Sequence, residues 1–563
     1  MNVSFMAVSS IISADRHELE TEAQREQKSQ HMSNIDPLPN QALGRLQTED
    51  RLKPEPERWT PANRNRIDRR RCGTWFLLLA LAAFVISRTA GGVIDLDLFH
   101  EMALAREAIQ RGFVPWTDSF AYTPTVDIVV HHEWGLGLIA LLIARTAGGS
   151  GIILLKFLLI FGLAFVVWTT ARARHARPVI IGLLMALAIV LSDFGFATVR
   201  AQMFSYLFAA LLLRGFDRDR SGDRRWLIGV IMLFPVWANI HGGCLVGAAL
   251  FAMHWMEQLI KRQPHWHLFL MGLCLIPLAA INPWHFHFHQ YLIHAMLMPR
   301  PAIAEWSSLL DAENRLQLVN FGMSLLPLIL ILKQTNWRRL PGLLIVLATG
   351  MAALKSNRFL PFYAVAYASY LPSAFSTTII GRDLRRWWWR CQPACCTCLG
   401  LAAIALLWKS LPSEPWRLRV ASHPLPHQGQ HLIYPVGAVD HLANNGFVGN
   451  VMVPYDWGSY VMWKLGPNVK VSFDSRYEVA YPTWRMEEDD RFYDALDGWP
   501  EVLSKYPADV VLVRSDLKIV KPLDVDPGWH RIYTDPQFVM FARTGIDVPI
   551  VKFAVPAPDG LFP

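Results

Sequence analysis

Charge is what this chain has least of. Of its 563 residues only 18% are Asp, Glu, Lys or Arg, where water-soluble domains carry about 25%. Its seven cysteines are Cys72, Cys244, Cys274, Cys391, Cys395, Cys396 and Cys398. None falls within 95–132 or 412–563, which excludes a disulfide framework in those stretches. The crowded "CQPACCTC" suits small side chains of a membrane helix, open to acylation, better than a metal site. The chain lacks a GxGxxG turn, a P-loop and any internal repeat of solenoid type. Zinc-finger and helix-turn-helix patterns are also missing, so the net charge of +8 does not point to nucleic acid. No short apolar core with a small-residue cleavage site precedes "RNRIDRRRC", so a signal peptide is not expected.

Apolar residues are abundant: 52% of the chain, in runs of transmembrane length recurring from Thr74 to Leu411. The fold expected is a multi-pass α-helical membrane protein with a small C-terminal α/β domain. Residues 1–72 read as a disordered cytoplasmic arm, 73–411 as the transmembrane domain and 412–563 as a soluble domain on the outer face. The first span, "TWFLLLALAAFVISRTAGGVI", runs outward because arginines precede it. It opens into an outer loop, 95–132, beginning "DLDLFHE". There Leu98, Met102, Ala105 and Ile109 fall on one helical face, which suggests an amphipathic helix on the membrane surface, stopped by Gly112.

Further spans are expected near 133–147, 150–170, 178–195, 200–215, 226–240, 243–260, 267–284, 315–333, 341–355, 357–374 and 394–411. The basic loops "ARARHAR", "RGFDRDRSGDRR", "KRQPHWH", "LKQTNWRR" and "GRDLRRWWWR" then lie inside. About eleven crossings satisfy this rule. One conflict stands: 133–147 must begin and end outside, so either it is re-entrant or "ARARHAR" breaks the rule. In the tail, "PVGAVDHLANNG" reads as a helix, and "NVMVPY", "KVSF", "DVVLV", "WHRIYT" and "FVMFAR" read as strands.

The outer face collects the polar residues. Asp95 and Asp97 stand at a helix mouth, where an Asp is a natural N-cap. A carboxylate there also suits a general base, and two of them a shared divalent cation. Local sequence makes Asp97 the cap or cation partner and leaves Asp95 the freer base. With them go Asp118, Glu133, Arg200, Asn239, His241, Glu305 and Arg358, ionisable or polar groups close to the bilayer that are costly unless they face a polar cavity or a partner. Arg200 and Arg358 suit either phosphate binding or snorkelling to headgroups. His285, His287 and His289 would share a face on a strand, as metal ligands need, but not on a helix. In the tail, Asp456 and Gly458 follow one strand, and Asp474, Arg476 and Glu478 another. Such positions suit a ligand crevice, or a turn with local Asp–Arg pairing.

The assembled motifs "DLDLFHE", "GFVPWTDSFAYTP", "HHEWGL", "RAQMFSYLFAALLLR", "FPVWANIHGG", "INPW", "AEW", "NRFLPF" and "WGSYVMWKLGPNVKVSFDSRYE" resemble a bacterial branch of the GT-C superfold. That superfold comprises polyprenyl-phosphate-dependent membrane glycosyltransferases, including the protein O-mannosyltransferases, the aminoarabinose transferase and the oligosaccharyltransferase catalytic subunit. The resemblance spans residues 73–545. It implies 11–12 transmembrane helices, a bacterial inner-membrane location with a cytoplasmic N-terminus, and an inverting hexosyl or pentosyl transferase. The implied partners are membrane lipid, a polyprenyl-phosphate sugar donor and a glycan, lipid or protein acceptor. Asp95 or Asp97 would be catalytic, with Mg or Mn as a cation they would hold. Arg200 and Arg358 would take the donor phosphate; Asp118, Glu133, His241, Glu305, Asp456 and Arg476 would contact substrate. The oligosaccharyltransferase Trp-Trp-Asp-x-Gly motif survives only as Asp456 and Gly458. A lipid-linked glycan flippase, or a non-catalytic envelope-assembly protein, is the alternative. Clustering of polar groups at one face, not at mid-membrane, argues against transport.

Overall fold

The computed structural model describes residues 61–92, 94–298, 304–423 and 432–562. The polar arm expected over 1–72 lies outside the described residues as far as residue 60. Residues 71–563 form one compact unit.

The membrane layer is built from helices α1 (Pro61–Thr89), α3 (Trp134–Ala173), α4 (Pro178–Ser192), α5 (Gln202–Arg220), α6 (Trp226–Ile240), α7 (Cys244–Ile260) and α8 (Trp266–Ala279). It continues with α10 (Arg315–Gln334), α11 (Leu343–Lys355), α12 (Leu360–Phe375) and α14 (Gln392–Ser410). Helices α2 (Leu96–Arg111), α9 (Phe286–Leu297) and α13 (Ile379–Arg390) fill the connections. Among the described residues, five stretches are long and apolar enough to span a bilayer: 71–89, 134–173, 178–196, 312–334 and 392–413. The helices leave Leu79, Leu158, Ile228, Met232, Leu270, Leu326 and Ile404 exposed. An apolar belt of that extent is stable against lipid, not water. The chain is a multi-pass membrane protein. Helix α12 is its axis, packed on α3, α4, α5 and α11. Its small residues Ala364, Ala366, Ala368 and Ser369 are all buried, which lets neighbouring backbones come close.

The two apolar runs expected at 133–147 and 150–170 are one element, α3, broken at Gly148 with φ 58° and ψ −155°. Only glycine takes that conformation cheaply. The first half runs against α2: a Cβ at Gly137 would stand 2.2 Å from the Glu101 carbonyl oxygen. It ends against the tail, where a Cβ at Gly149 would meet Leu418 at 3.1 Å. The first half thus packs on α2 near its start and on the tail at its end, and the chain turns at Gly148 into the second half. Helix α2 departs from expectation. It is sandwiched between α3 and a tail helix instead of lying on lipid, with Leu98, Met102 and Ala105 buried and Ile109 exposed. The histidine run opens α9, so His287 and His289 follow helical spacing, which does not give the shared face a metal would need.

The tail holds a five-stranded sheet: β1 (Gly449–Met452), β2 (Val469–Val471), β3 (Val510–Arg514), β4 (Trp529–Thr534) and β5 (Phe538–Arg543), in the order β2-β1-β3-β5-β4. Strand β1 is parallel to β2 and β3, and β5 is antiparallel to β3 and β4. Each strand matches an expected apolar run, and α15 (Val436–Asn444) matches the expected helix. Helix α16 (Tyr455–Leu465) crosses from β1 to β2 and covers α2.

The outer loop joins this sheet. Ala121 bridges Val471 in parallel register, the Val471 N–H donates to the Phe120 carbonyl at 3.0 Å, and Thr123 donates to the Ser472 carbonyl at 2.5 Å. Behind that seam Arg476 is locked between Asp118 and Asp474, with all three side chains sealed from solvent. Asp118 also accepts the backbone N–H groups of Phe120 (3.1 Å) and Ala121 (2.7 Å).

Candidate active site

The α1 segment ends in "TAGGVID", and α2 begins one residue after Asp95. Asp95 has extended backbone and its side chain accepts the Asp97 N–H at 3.1 Å, so Asp95 is the N-cap. This reverses the capping role expected for Asp97, because the helix starts two residues earlier than the surface pattern suggested. Asp97 stands in the first turn of α2 with 27% of its side chain exposed.

Arg200, just ahead of α5, reaches both acids. Its Nε lies 2.9 Å from Asp95 Oδ2 and its Nη2 3.7 Å from Asp97 Oδ2, while Nη1 pairs with Glu305. Thr198 donates to Asp95 Oδ2 at 2.9 Å. The second Glu305 oxygen faces Arg358 Nη1 at 3.9 Å, and the Arg358 guanidinium sits 4.9 Å from the centre of the Trp306 ring. Four chain segments thus meet in one charged row: Asp97, Asp95, Arg200, Glu305, Arg358.

Buried Lys156 holds two of those segments in place. Its Nζ donates to the carbonyls of Thr89 (2.8 Å), Gly91 (2.8 Å) and Ala197 (2.7 Å). The Thr89 carbonyl is one that the end of α1 leaves without a helical partner. Gly91 leads into Asp95, and Ala197 into Thr198 and Arg200.

A second acidic group adjoins the row. Glu101 lies one turn after Asp97 on the same face of α2. Glu133, which opens α3, takes His132 Nε2 and His241 Nε2 on one oxygen, each at 3.3 Å. The tautomer of His241 follows from its neighbours. The Gly243 N–H donates to Nδ1 at 2.9 Å, and the Ser205 hydroxyl, which accepts the Trp237 N–H, lies 2.7 Å from the same atom. Nδ1 is therefore the acceptor, and the single proton sits on Nε2 facing Glu133. Burial pushes His241 down to about 3, so the ring is neutral.

The acids are not alike. Burial, reinforced by Asp95, raises Asp97 well above the usual carboxylate range. Burial and then Glu133 raise Glu101 in the same way. Glu133 stays well below that range: burial raises it, but His132, Glu101 and His241 together outweigh that. Within this pair proton affinity is thus higher at Glu101 than at Glu133. Arg200 occupies the position between Asp95 and Asp97 that a shared cation would take, so a cation held there would have to displace it. Among the described residues no group of three or more His, Cys, Asp or Glu is arranged for a metal.

Of the residues singled out from sequence, Asp95, Asp97, Arg200, Glu305 and Arg358 come together, and Glu133 and His241 adjoin them. Asp118 and Arg476 lie instead in the sealed seam between loop and tail. Asp456 is exposed in the first turn of α16. A Cβ at Gly458 would stand 1.9 Å from the Phe473 carbonyl oxygen, so that glycine serves the close packing of α16 on β2's end. Sequence reasoning missed Thr198, Glu101, His132 and Lys156. A lone lysine inside the run "GIILLKFLLIF" was the one signal among them that membrane physics flags in advance.

No family model and no curated protein matches the sequence. Solved structures do resemble it. The oligosaccharyltransferase of Archaeoglobus fulgidus superposes with a TM-score of 0.48 at 14% identity, over 84% of this chain and 75% of that one. ArnT from Cupriavidus metallidurans, solved with undecaprenyl phosphate, gives 0.48 at 13% identity, over 84% and 98%. The mycobacterial arabinofuranosyltransferase AftD gives 0.49 at 15% identity, over 84% of this chain and 40% of AftD. In the course of its chain, then, this protein is similar to solved membrane glycosyltransferases.

Proposed function

We propose that this chain is a membrane glycosyltransferase that moves a sugar from a polyprenyl-phosphate-linked donor to an acceptor at the face bearing Asp97. The observation that carries the reading is the charged row: Arg200 against Asp95 and Asp97, and Arg358 joined to it through Glu305, all at the mouth of the helical layer. Arg200 and Arg358 hold the donor phosphate by charge-assisted hydrogen bonds. Phosphate draws Arg200 from Glu305, which keeps the departing charge stabilised as the glycosidic C–O bond breaks. The leaving group departs as a phosphate anion and needs no proton. Asp97 accepts the acceptor's hydroxyl proton as the new C–O bond forms; its raised proton affinity favours this once it is ionised. Asp95 is the positioning group, tied to the helix start, Thr198 and Arg200. The resemblance of the sequence motifs to GT-C enzymes implies a catalytic acid at Asp95 or Asp97 and inversion at the anomeric carbon.

Mass spectrometry of envelope glycans, lipids and proteins from cells lacking the gene tests this. One sugar should disappear, return with the wild-type gene and stay absent with Asp97→Asn expressed to the same level. Full recovery with Asp97→Asn would refute the assignment.

A further inference from the structure

A cavity of ligand size lies in the helical layer away from the charged row. Helix α5 starts beside Arg200 and ends at Arg220; its 19 residues span about 28 Å. Helix α12 likewise starts two residues after Arg358 and ends at Phe375. At their far ends lies a cavity of about 680 Å³, a size typical of ligand sites. Arg174, Arg214, Arg218, Arg220 and Arg339 line it, against one carboxylate, Asp217.

Two of these arginines are fixed before any ligand arrives. Asp217 Oδ1 takes Arg174 and Arg220, each at 2.8 Å. Both guanidiniums also lie over the Tyr370 ring, at 4.8 and 5.2 Å from its centre. Arg220 Nε is nonetheless buried without a hydrogen-bond partner. Arg214, Arg218 and Arg339 pair with no carboxylate among the described residues. Hydroxyls of Ser373 and Thr377 stand in the same wall. Planar forked donors, surplus positive charge and hydroxyls are what a phosphate group needs.

We propose that this cavity binds a phosphate-bearing anion on the face opposite the charged row. The ligand is an organophosphate, presented either as an anionic phospholipid headgroup or as a soluble phosphate compound. This does not depend on the glycosyltransferase reading, since it uses none of that site's residues.

The test uses the purified full chain, delipidated in detergent, beside three variants. R214Q/R218Q/R339Q empties the cavity of its unpaired charge. R218Q/R339Q changes only exposed residues and so spares packing. R382Q/R386Q/R390Q removes equal charge from the exposed side of α13, outside the cavity. Native mass spectrometry reads retention of phosphatidylglycerol against phosphatidylcholine, and thermal shift reads inorganic pyrophosphate. Wild type and the α13 variant should favour phosphatidylglycerol, or be stabilised by pyrophosphate, about tenfold more than the cavity triple variant. The exposed double variant should fall between. Preference for the lipid identifies a headgroup, and preference for pyrophosphate a soluble ligand. Equal loss in cavity and α13 variants, or no difference of any variant from wild type with either probe, would overturn the proposal.

Discussion

Arg200 and Arg476 are each flanked by carboxylates, yet they stand in opposite settings. Arg476 is 1% exposed, and its partners Asp118 and Asp474 are equally sealed. Tyr481 donates to Asp474 at 2.7 Å, so the network closes on itself. Arg200 is 22% exposed, and its three acids keep between 10% and 29% of their side-chain surface. A sealed, satisfied ion network holds two parts of a chain together. An open one, reached by solvent, can exchange partners. That difference separates a seam from a site, and it is invisible in the sequence, where "TDSF" and "DLDL" look alike.

Substitutions at the two places should therefore fail differently. Asp97→Asn should lower transfer by about 10²–10⁴-fold while leaving the protein folded, and it should raise the melting temperature near neutral pH. The sign follows from its raised proton affinity: Asp97 favours the fold while protonated, and that contribution is lost as pH rises through its folded value. For the same reason, the acidic limb of the wild-type pH–rate profile should lie above the ordinary carboxylate range. Arg476→Met should do the reverse. Leaving Asp118 and Asp474 unpaired in the interior costs about 3–5 kcal/mol, read as protease cleavage in the 113–130 loop and loss of fold.

Lys156→Met strips three backbone carbonyls of their donor. A cost of about 1–3 kcal/mol is expected in thermal unfolding, with transfer reduced because the Asp95 and Arg200 segments are no longer held in register. Asp489 offers a smaller effect. Burial raises it to about 7, in spite of Arg485 2.7 Å away. Its stabilising contribution is whole below the ordinary carboxyl value near 4 and is lost as pH rises through about 7. Asp489→Asn should thus raise the melting temperature more at pH 8 than at pH 5. Asp456→Asn should change stability by less than about 0.5 kcal/mol and leave transfer intact; a large loss of transfer would bring that residue back to the site.

The sequence made the helices and strands legible because apolar length and period carry them. It placed α4 to α8 and all five sheet strands, and the polar residues at one face included the five of the charged row. Three things were out of its reach. The two runs at 133–147 and 150–170 read as separate spans, and that they form one element turned at a positive-φ Gly148 is a property of the packed chain. The N-cap at Asp95 is decided by one hydrogen bond to Asp97, with either residue chemically suited to it. The assignment of Asp118 and Arg476 to the seam depends on a contact between positions 358 residues apart, which no local pattern encodes.

The central claim is that Asp97, beside Arg200, takes a proton as a lipid-linked sugar leaves its phosphate. The most direct measurement is release of free polyprenyl phosphate from lipid-linked sugars extracted from the source cells, using purified protein in detergent. Wild type should release it, and Asp97→Asn, equally folded, should not. Equal release by both would contradict the account.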